Sequence, residues 1–298
     1  MMIRYVAATV GAPDLAAMAA AYKVFGYTVV EEGRVDPALA ISWGAPRSSG
    51  RRFIVMRPAT GEDVFVRAVE IDAVPNFKAA TTLGWNSIEF VTDDPDKVQA
   101  QLEGSPIKVL GPPKALSNFP SIRAMQTLGP GQEVIHFTSD SRDPAESSLP
   151  APPMGGGVGR IFIVVMAAPD VAAVNDWYAS HFNMAKNAMR RDLVTVINNA
   201  QGLPADTRSD ATVLRMTEKG NSVEFWGFVG AAAVPRPRPY EQLPPGVAIA
   251  SMIARDLDSL RDIQWIRPPT KRDGLVYGGR RAGTFIGPVG ELVELVEA

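Results

Sequence analysis

The chain contains no cysteine and only two histidines, His136 and His181, among 298 residues. The first absence excludes disulfides, thiolate metal ligands and a cysteine nucleophile together. Charge of one sign is also missing. Thirty Lys and Arg face 32 Asp and Glu, a net of −2, so there is no electrostatic footprint for nucleic acid or an anionic membrane. Nor is there a long apolar run. The longest, Ile161–Ala168, is far too short to span a bilayer and stops at Pro169-Asp170. The N-terminus lacks a charged start followed by an apolar block, so no secretory signal is expected and a cytoplasmic location is the default. What remains, at 46% apolar content, is an ordinary globular composition.

Within that composition the chain repeats itself. Gly84–Asp96 (GWNSIEFVTDDPD) matches Gly246–Asp258 (GVAIASMIARDLD) without a gap. Further on, Arg123 matches Arg281, and LGPGQEVIHF (128–137) matches IGPVGELVEL (286–295). A second pair joins Ala12–Ala17 (APDLAA) to Ala168–Ala173 (APDVAA). Such self-similarity means copies of one supersecondary unit, and a period near half the chain means two duplicated halves. A chain of this length accommodates two domains of about 140 residues, each able to bury a core.

Each copy reads as strand, helix, then three strands. In the first, Ile3–Val10 is rich in β-branched and aromatic residues. Asp14 can cap an alanine-rich helix that Gly26 stops. Strands are then expected at Leu39–Trp43, Arg52–Met56 and Val64–Val69. The third copy repeats this from Arg160–Met166, with a helix from Asp170 and strands at Leu193–Ile197, Thr212–Met216 and Ser222–Phe228. The second has a helix over Pro95–Leu102, and the fourth a short one over Leu257–Ile263 with a strand at Leu275–Tyr277. The segment SDSRDPAESSLPAPPMGGG has no apolar period, four prolines and three consecutive glycines, and reads as a linker over 140–157. The expected organisation is therefore an N-terminal domain, 1–139, with modules 1–70 and 83–139. A C-terminal domain, 158–298, has modules 158–229 and 245–298. The fold class is α+β: two tandem domains, each of two paired βαβββ modules forming a cup-shaped mixed sheet.

The motifs APDLAAMAAAYKVFGY (12–27), APDVAAVNDWYASHFNM, FVTDDPDKVQAQL (90–102) and GPVGELVEL (287–295) resemble the vicinal oxygen chelate superfamily, which includes glyoxalase I, bleomycin-resistance proteins and extradiol ring-cleaving dioxygenases. The likeness covers nearly the whole chain, because the repeat does. It implies that paired modules curl into cups and that metal ligands come from the first and last strands of each module. Carried over position by position, those places fall near Tyr5 or Val6 and near Asn86, and on Phe65 and His136, in the N-terminal half. In the C-terminal half they fall near Ile163 and Ala248, and on Glu224 and Glu294. On that mapping no cup gathers a facial triad, so no metal ligand and no cofactor is assigned. A divalent metal stays open, because two glutamates with water can hold a hard cation.

Glu224, Glu294 and His136 are the candidate catalytic residues. Each glutamate sits in an apolar strand, SVEFWGF or ELVELVE, and the fold would face the two across one cup. Paired carboxylates in an apolar cavity repel, which raises one of them into the range useful for proton transfer. The bland alternative is a register off by one, with a glutamate in solvent. His136 replaces the glutamate in the N-terminal cup and can serve as base, donor or ligand. His181 reads as a helix-end residue. Arg123, Arg281 and Arg215 suit a substrate carboxylate, or else a solvated strand face. Asn86 and Trp226 complete the candidate substrate-binding set, and Phe65, Trp85 and Tyr240 are further wall candidates.

The favoured expectation is an enzyme without a redox metal. It would perform proton transfer or isomerisation on a small anionic, unsaturated or aromatic-derived oxyacid. A divergent dioxygenase or glyoxalase-like metalloenzyme is one alternative. A metal-free small-molecule binding protein that sequesters a drug, like the bleomycin-resistance proteins, is another. A small molecule is the expected partner and a homodimer is open, while nucleic acid and membrane are not expected.

Overall fold

A computed structural model describes residues 1–238 and 241–298. The Tyr240 expectation lies outside the described residues. Four modules follow one another. The first comprises β1 (Met2–Ala12), α1 (Leu15–Val24), β2 (Tyr27–Arg34), α2 (Pro37–Ser42), β3 (Arg52–Pro58) and β4 (Phe65–Glu70). The second comprises β5 (Gly84–Thr92), α3 (Pro95–Gln101), β6 (Lys108–Leu116), β7 (Phe119–Leu128) and β8 (Val134–Asp140). The third comprises β9 (Val158–Ala168), α4 (Val171–Phe182), β10 (Arg190–Asp192), α5 (Thr195–Gln201), β11 (Ser209–Arg215) and β12 (Ser222–Gly227). The fourth has β13 (Gly246–Ala254), β14 (Thr270–Lys271), β15 (Arg281–Ile286) and β16 (Leu292–Glu297). Among the described residues no helix is long and apolar enough to cross a membrane.

Local chemistry sets the helices. The Asp14 carboxylate accepts from Ala17 N at 2.9 Å and that of Asp170 from Ala173 N at 3.0 Å, so the repeated Ala-Pro-Asp motif is a repeated N-cap. Two expected strands prove helical. Leu39–Trp43 falls in and beside α2, because Asp36 caps Ala38 and Leu39 and Pro37 occupies the first turn. Leu193–Ile197 runs into α5, which Gly202 ends in a left-handed conformation. In the fourth module Leu257–Ile263 forms turns rather than a helix, and Leu275–Tyr277 belongs to a glycine-rich loop.

The α+β class and two eight-stranded sheets, each of two modules, are as the sequence predicts, but the modules exchange partners. One sheet runs β14-β15-β16-β13-β1-β4-β3-β2 and joins modules one and four. The other runs β10-β11-β12-β9-β5-β8-β7-β6 and joins modules two and three. The expectation that residues 1–139 and 158–298 each close their own cup is corrected accordingly. The connectors supply the physical reason. Gly155, Gly156 and Gly157 all take positive φ and turn the chain onto module two, where Gly157 N donates to the Asp93 carboxylate at 2.8 Å. The next strand, β9, therefore lands antiparallel on β5, with Ile88 facing Val164. Similarly, Gln242 exchanges two hydrogen bonds with the Asp72 backbone, and Leu83 N donates to Val234 O. The two connectors thus run together and deliver β13 beside β1, where Ala8 faces Ala250.

Helices α2 and α5 cover the cups, whereas α1, α3 and α4 pack between the sheets. One core there draws Tyr22, Phe25, Phe90, Phe137, Tyr178, Phe182, Phe225 and Phe285 from all four modules. The central strands β5 and β13 are buried along their whole length, having that core on one face and a cup on the other. Each half is also tied internally, across the two sheets. Tyr22 of α1 donates to Glu133 at 3.1 Å, and Tyr178 of α4 to Glu291 at 2.5 Å.

Candidate active site

Strand register decides which side chains share a cup. In the second sheet Gln126 faces His136, His136 faces Glu89, and Glu89 faces Ile163. One step along, Ser87 faces Val165, which faces Glu224. Paired residues point to the same side of a sheet. Glu89, His136 and Glu224 accordingly all line one cavity of about 360 Å³, together with Gln126 and Trp226. Its rim comes from the β6–β7 hairpin and from the β10–α5 segment. There Asn118 Nδ2 donates to Asp192 at 2.7 Å and Lys114 Nζ to Thr195 at 3.3 Å. The Arg190 guanidinium lies 5.5 Å over the Phe119 ring. It also lies 3.8 Å from Glu224 Oε1.

Burial pushes Glu89 up to about 8, with help from the charge of Glu224 and against a hydrogen bond from Thr138. Burial likewise pushes Glu224 up to about 7, partly offset by Trp226 and Arg190. Burial drives His136 the other way, to about 4, so its imidazole is neutral at pH 7. Its ring packs on Trp226 with centroids 5.6 Å apart. The cavity floor thus offers two carboxyl groups that titrate near neutrality and one uncharged imidazole, under a rim bearing Arg190 and Lys114. Such a set can move a proton and hold an anion.

The first sheet carries the equivalent row with other residues. Thr284 faces Glu294, Glu294 faces Ser251, and Ser251 faces Ala7; one step along, Thr9 faces Arg67. His136 and Glu294 are equivalent last-strand residues, as the repeat predicts. Glu294 is 1% exposed and fully partnered. Its Oε1 accepts from Trp43 Nε1 and Tyr277 OH, each at 2.8 Å, and its Oε2 from Arg67 at 3.0 Å and Ser251 at 2.7 Å. Burial raises its pKa, but Arg67 and the three neutral donors outweigh that and hold the carboxyl below its ordinary value. Arg67 also donates to Thr9 and Tyr277 and stacks 4.6 Å over Trp43. Only about 50 Å³ remains open beside this network.

The expectation that Glu224 and Glu294 face one cup is therefore corrected, because the exchange of module partners puts them in different sheets. The mapping that passed over Glu89 is corrected too, because Glu89 lines the same cavity as His136 and Glu224. Its signal was present: the ungapped match sets Glu89 on Ser251, whereas Asn86 and Ala248 both lie three residues early. Phe65 gives way to Arg67 in the same manner. Asn86 is buried in a recess adjoining the cavity. The three arginines are elsewhere. Arg123 pairs with Asp96, and Arg281 with Asp258 and Glu297, at the surface. Arg215 is exposed at the end of β11. Trp85 is buried and donates to Leu292 O between the sheets. His181 stacks on Trp177 along α4. Residues missed in the sequence, besides Glu89, are Gln126, Lys114, Asn118, Arg190 and Asp192, which pair within their own modules and come together only where modules two and three meet. A separate acidic cluster of Asp256, Asp258 and Glu297 lies at the surface, already engaged by Arg281.

No family model and no curated protein matches this sequence. Solved structures do. Glyoxalase I from Zea mays matches with a TM-score of 0.65 at 14% identity, over 99% of this chain and 92% of that one. A candidate dioxygenase from Bacillus subtilis subsp. subtilis str. 168 matches with a TM-score of 0.60 at 13% identity, over 100% of this chain and 85% of that one. Identities this low speak to the fold alone.

Proposed function

We propose, for a chain with the vicinal oxygen chelate fold, that the second cup is the active site of an enzyme moving a proton on a small anionic oxyacid. The observation that carries this reading is the convergence of Glu89, Glu224 and neutral His136 on one cavity whose rim holds Arg190 and Lys114. A carboxyl poised near pH 7 can take a proton from carbon and return it elsewhere. Glu224, beside Arg190, is the better base, since the guanidinium favours its ionised form. Glu89, bonded by Thr138 and pushed higher, is the better acid. Neutral His136 and Gln126 can donate hydrogen bonds to a developing enolate oxygen. Arg190 and Lys114 suit the substrate's carboxylate. An isomerase or lyase follows from this chemistry more directly than a ring-cleaving oxygenase does. The first cup has its carboxylate already neutralised by Arg67 and serves as structure.

One observation favours a metal-assisted version of the same reading. Burial raises both carboxyl groups, and the neutral imidazole of His136 lines the same cavity. The three side chains do not converge on one point as they stand; a divalent cation that drew Glu89, His136 and Glu224 together would be held by them and would polarise a substrate oxygen.

Incubation in deuterated buffer with a panel of 2-oxo, 2-hydroxy and unsaturated carboxylic acids, followed by proton NMR, tests both versions. Exchange at carbon is expected, and Glu224→Gln should slow it about 10²-fold. Exchange without added cation and after chelation favours the metal-free version; restoration only by a divalent cation favours the other. If no acid exchanges or turns over under either condition, the enzyme reading fails and the drug-sequestering alternative gains.

A further inference from the structure

Arg190 and Asp192 stand two apart on β10, so their side chains share one side of the sheet and line the cavity. Arg191, between them, pairs with Asp210 at 3.4 Å instead. Across the cavity mouth the β6–β7 hairpin turns through Ser117 and Asn118, with Leu116 facing Phe119. Two residues of that hairpin meet the β10 pair. Asn118 Nδ2 donates to Asp192 Oδ1 at 2.7 Å, and the guanidinium of Arg190 lies 5.5 Å over the Phe119 ring, which is 42% exposed.

Among the described residues Arg190 makes one hydrogen bond: its Nε donates to Asp192 Oδ2 at 3.2 Å. Both Asp192 oxygens are thereby engaged, one from each module, while Nη1 and Nη2 of Arg190 have no hydrogen-bond acceptor. Glu224 Oε1 stands 3.8 Å from Nη2, about 1 Å beyond a charge-assisted hydrogen bond. The first cup shows the contrary arrangement. There Nε of Arg67 meets only the neutral Thr9 hydroxyl, and Nη2 closes on Glu294 Oε2 at 3.0 Å. A guanidinium is a rigid planar fork, so fixing Nε and one face fixes where the remaining edge points.

Building on the reading of the second cup as an anion-binding site, we propose that Asp192 is a positioning residue: backed by Asn118, it holds Arg190 off Glu224 and keeps the Nη1–Nη2 edge open to a substrate carboxylate. That edge carries parallel N–H donors, which match the two oxygens of a planar carboxylate taken end-on. The exposed Phe119 ring is the platform under the guanidinium. Glu224 keeps a neighbouring positive charge without a bond that would tie it down. Without Asp192 the freed guanidinium would close on Glu224 as Arg67 closes on Glu294, and the carboxylate site would be lost.

The sign of one effect separates positioning from charge alone. Removing a negative charge at the cavity mouth should, by charge alone, tighten anion binding; positioning requires that it weaken. Calorimetric titration of the whole protein with lactate, mandelate and benzoate, with benzamide as the uncharged control for benzoate, reads this. At least one acid should bind, and Arg190→Gln should weaken it about 10-fold or more. Asp192→Asn should weaken the same acid by about 10-fold, and Asn118→Ala should do so by less. In an Arg190→Gln background Asp192→Asn should cause no further loss. A crystal structure of the Asp192→Asn protein should show Nη2 of Arg190 within hydrogen-bond distance of Glu224. Acid binding that is unchanged or tighter in Asp192→Asn, or a guanidinium that stays in place there, would overturn the positioning role; the anion site would stand as long as Arg190→Gln weakens binding. Binding of no acid, benzamide binding as tightly as benzoate, or acid binding indifferent to Arg190→Gln would overturn the anion-site reading and the positioning role with it.

Discussion

Arg67 occupies, in the first sheet, the ladder position that Glu224 holds in the second. Thr9 faces Arg67 as Val165 faces Glu224, and the Ala-Pro-Asp repeat sets Thr9 and Val165 at equivalent places. From there the Arg67 guanidinium reaches Glu294 Oε2 at 3.0 Å. That exchange of a guanidinium for a carboxyl, with Glu294 in place of His136 and Ser251 in place of Glu89, separates a filled and neutral cup from an open one with titrating floor groups.

The two last-strand glutamates should accordingly respond to mutation in opposite ways. Glu294→Ala leaves Arg67 charged, buried and unpaired, and should lower unfolding stability by about 3–5 kcal/mol. Glu224→Gln should leave the unfolding midpoint nearly unchanged while turnover falls. Urea unfolding of both variants checks the contrast, and a stable Glu294→Ala protein would contradict the fixed network described here.

Stability should fall as pH rises from about 5 to 7.5. Burial lifts Glu133 and Glu291 each from 4.5 to about 7. In that window the folded state binds more protons than the unfolded chain, so unfolding becomes easier with each step in pH. The contribution is whole below the unfolded value of 4.5 and is lost as pH rises through the folded value near 7. Urea midpoints across the window, compared with those of Glu133→Gln, should show the slope and its partial flattening. A rising midpoint would refute the assignment.

A cut between Met154 and Gly155 should not release two folded domains. Met154 is fully exposed, so the cut itself disturbs little. The pairs β1–β13 and β5–β9 both cross it, however, and each fragment would expose two long apolar strand edges. Each fragment alone should aggregate or self-associate, and the two co-expressed should copurify as one complex. Size-exclusion chromatography distinguishes this from two soluble monomers, which would overturn the pairing of modules.

Much of the fold was legible because it is local. Asp14 and Asp170 announce their helices within three residues, and the β-branched runs announce their strands. The repeat then placed His136 and Glu294 at equivalent positions. Partner choice was not legible, since the edge that β9 joins depends on where Gly155–Gly157 and Asp93 steer the chain. Within the site, His136, Glu224 and Trp226 could be found from their apolar strand contexts. Glu89 was hidden by a three-residue error of register in a strand buried on both faces, where alternation gives no phase. Arg123 and Arg281 repeat faithfully, but what they repeat is a surface ion pair with Asp96 and Asp258.

The exchange of partners has a bearing on how such a protein can be recombined. A crossover in the linker, the place where the chain looks divisible, would splice half of each cup to a stranger. The segment that carries a whole cavity is the middle of the chain, from Gly84 to Gly227, flanked by the two modules that make the closed cup. A homologue's specificity should transplant as that central block, and substitutions that track one another through divergence should couple β5 and β8 to β9 and β12, across the linker and not within either half.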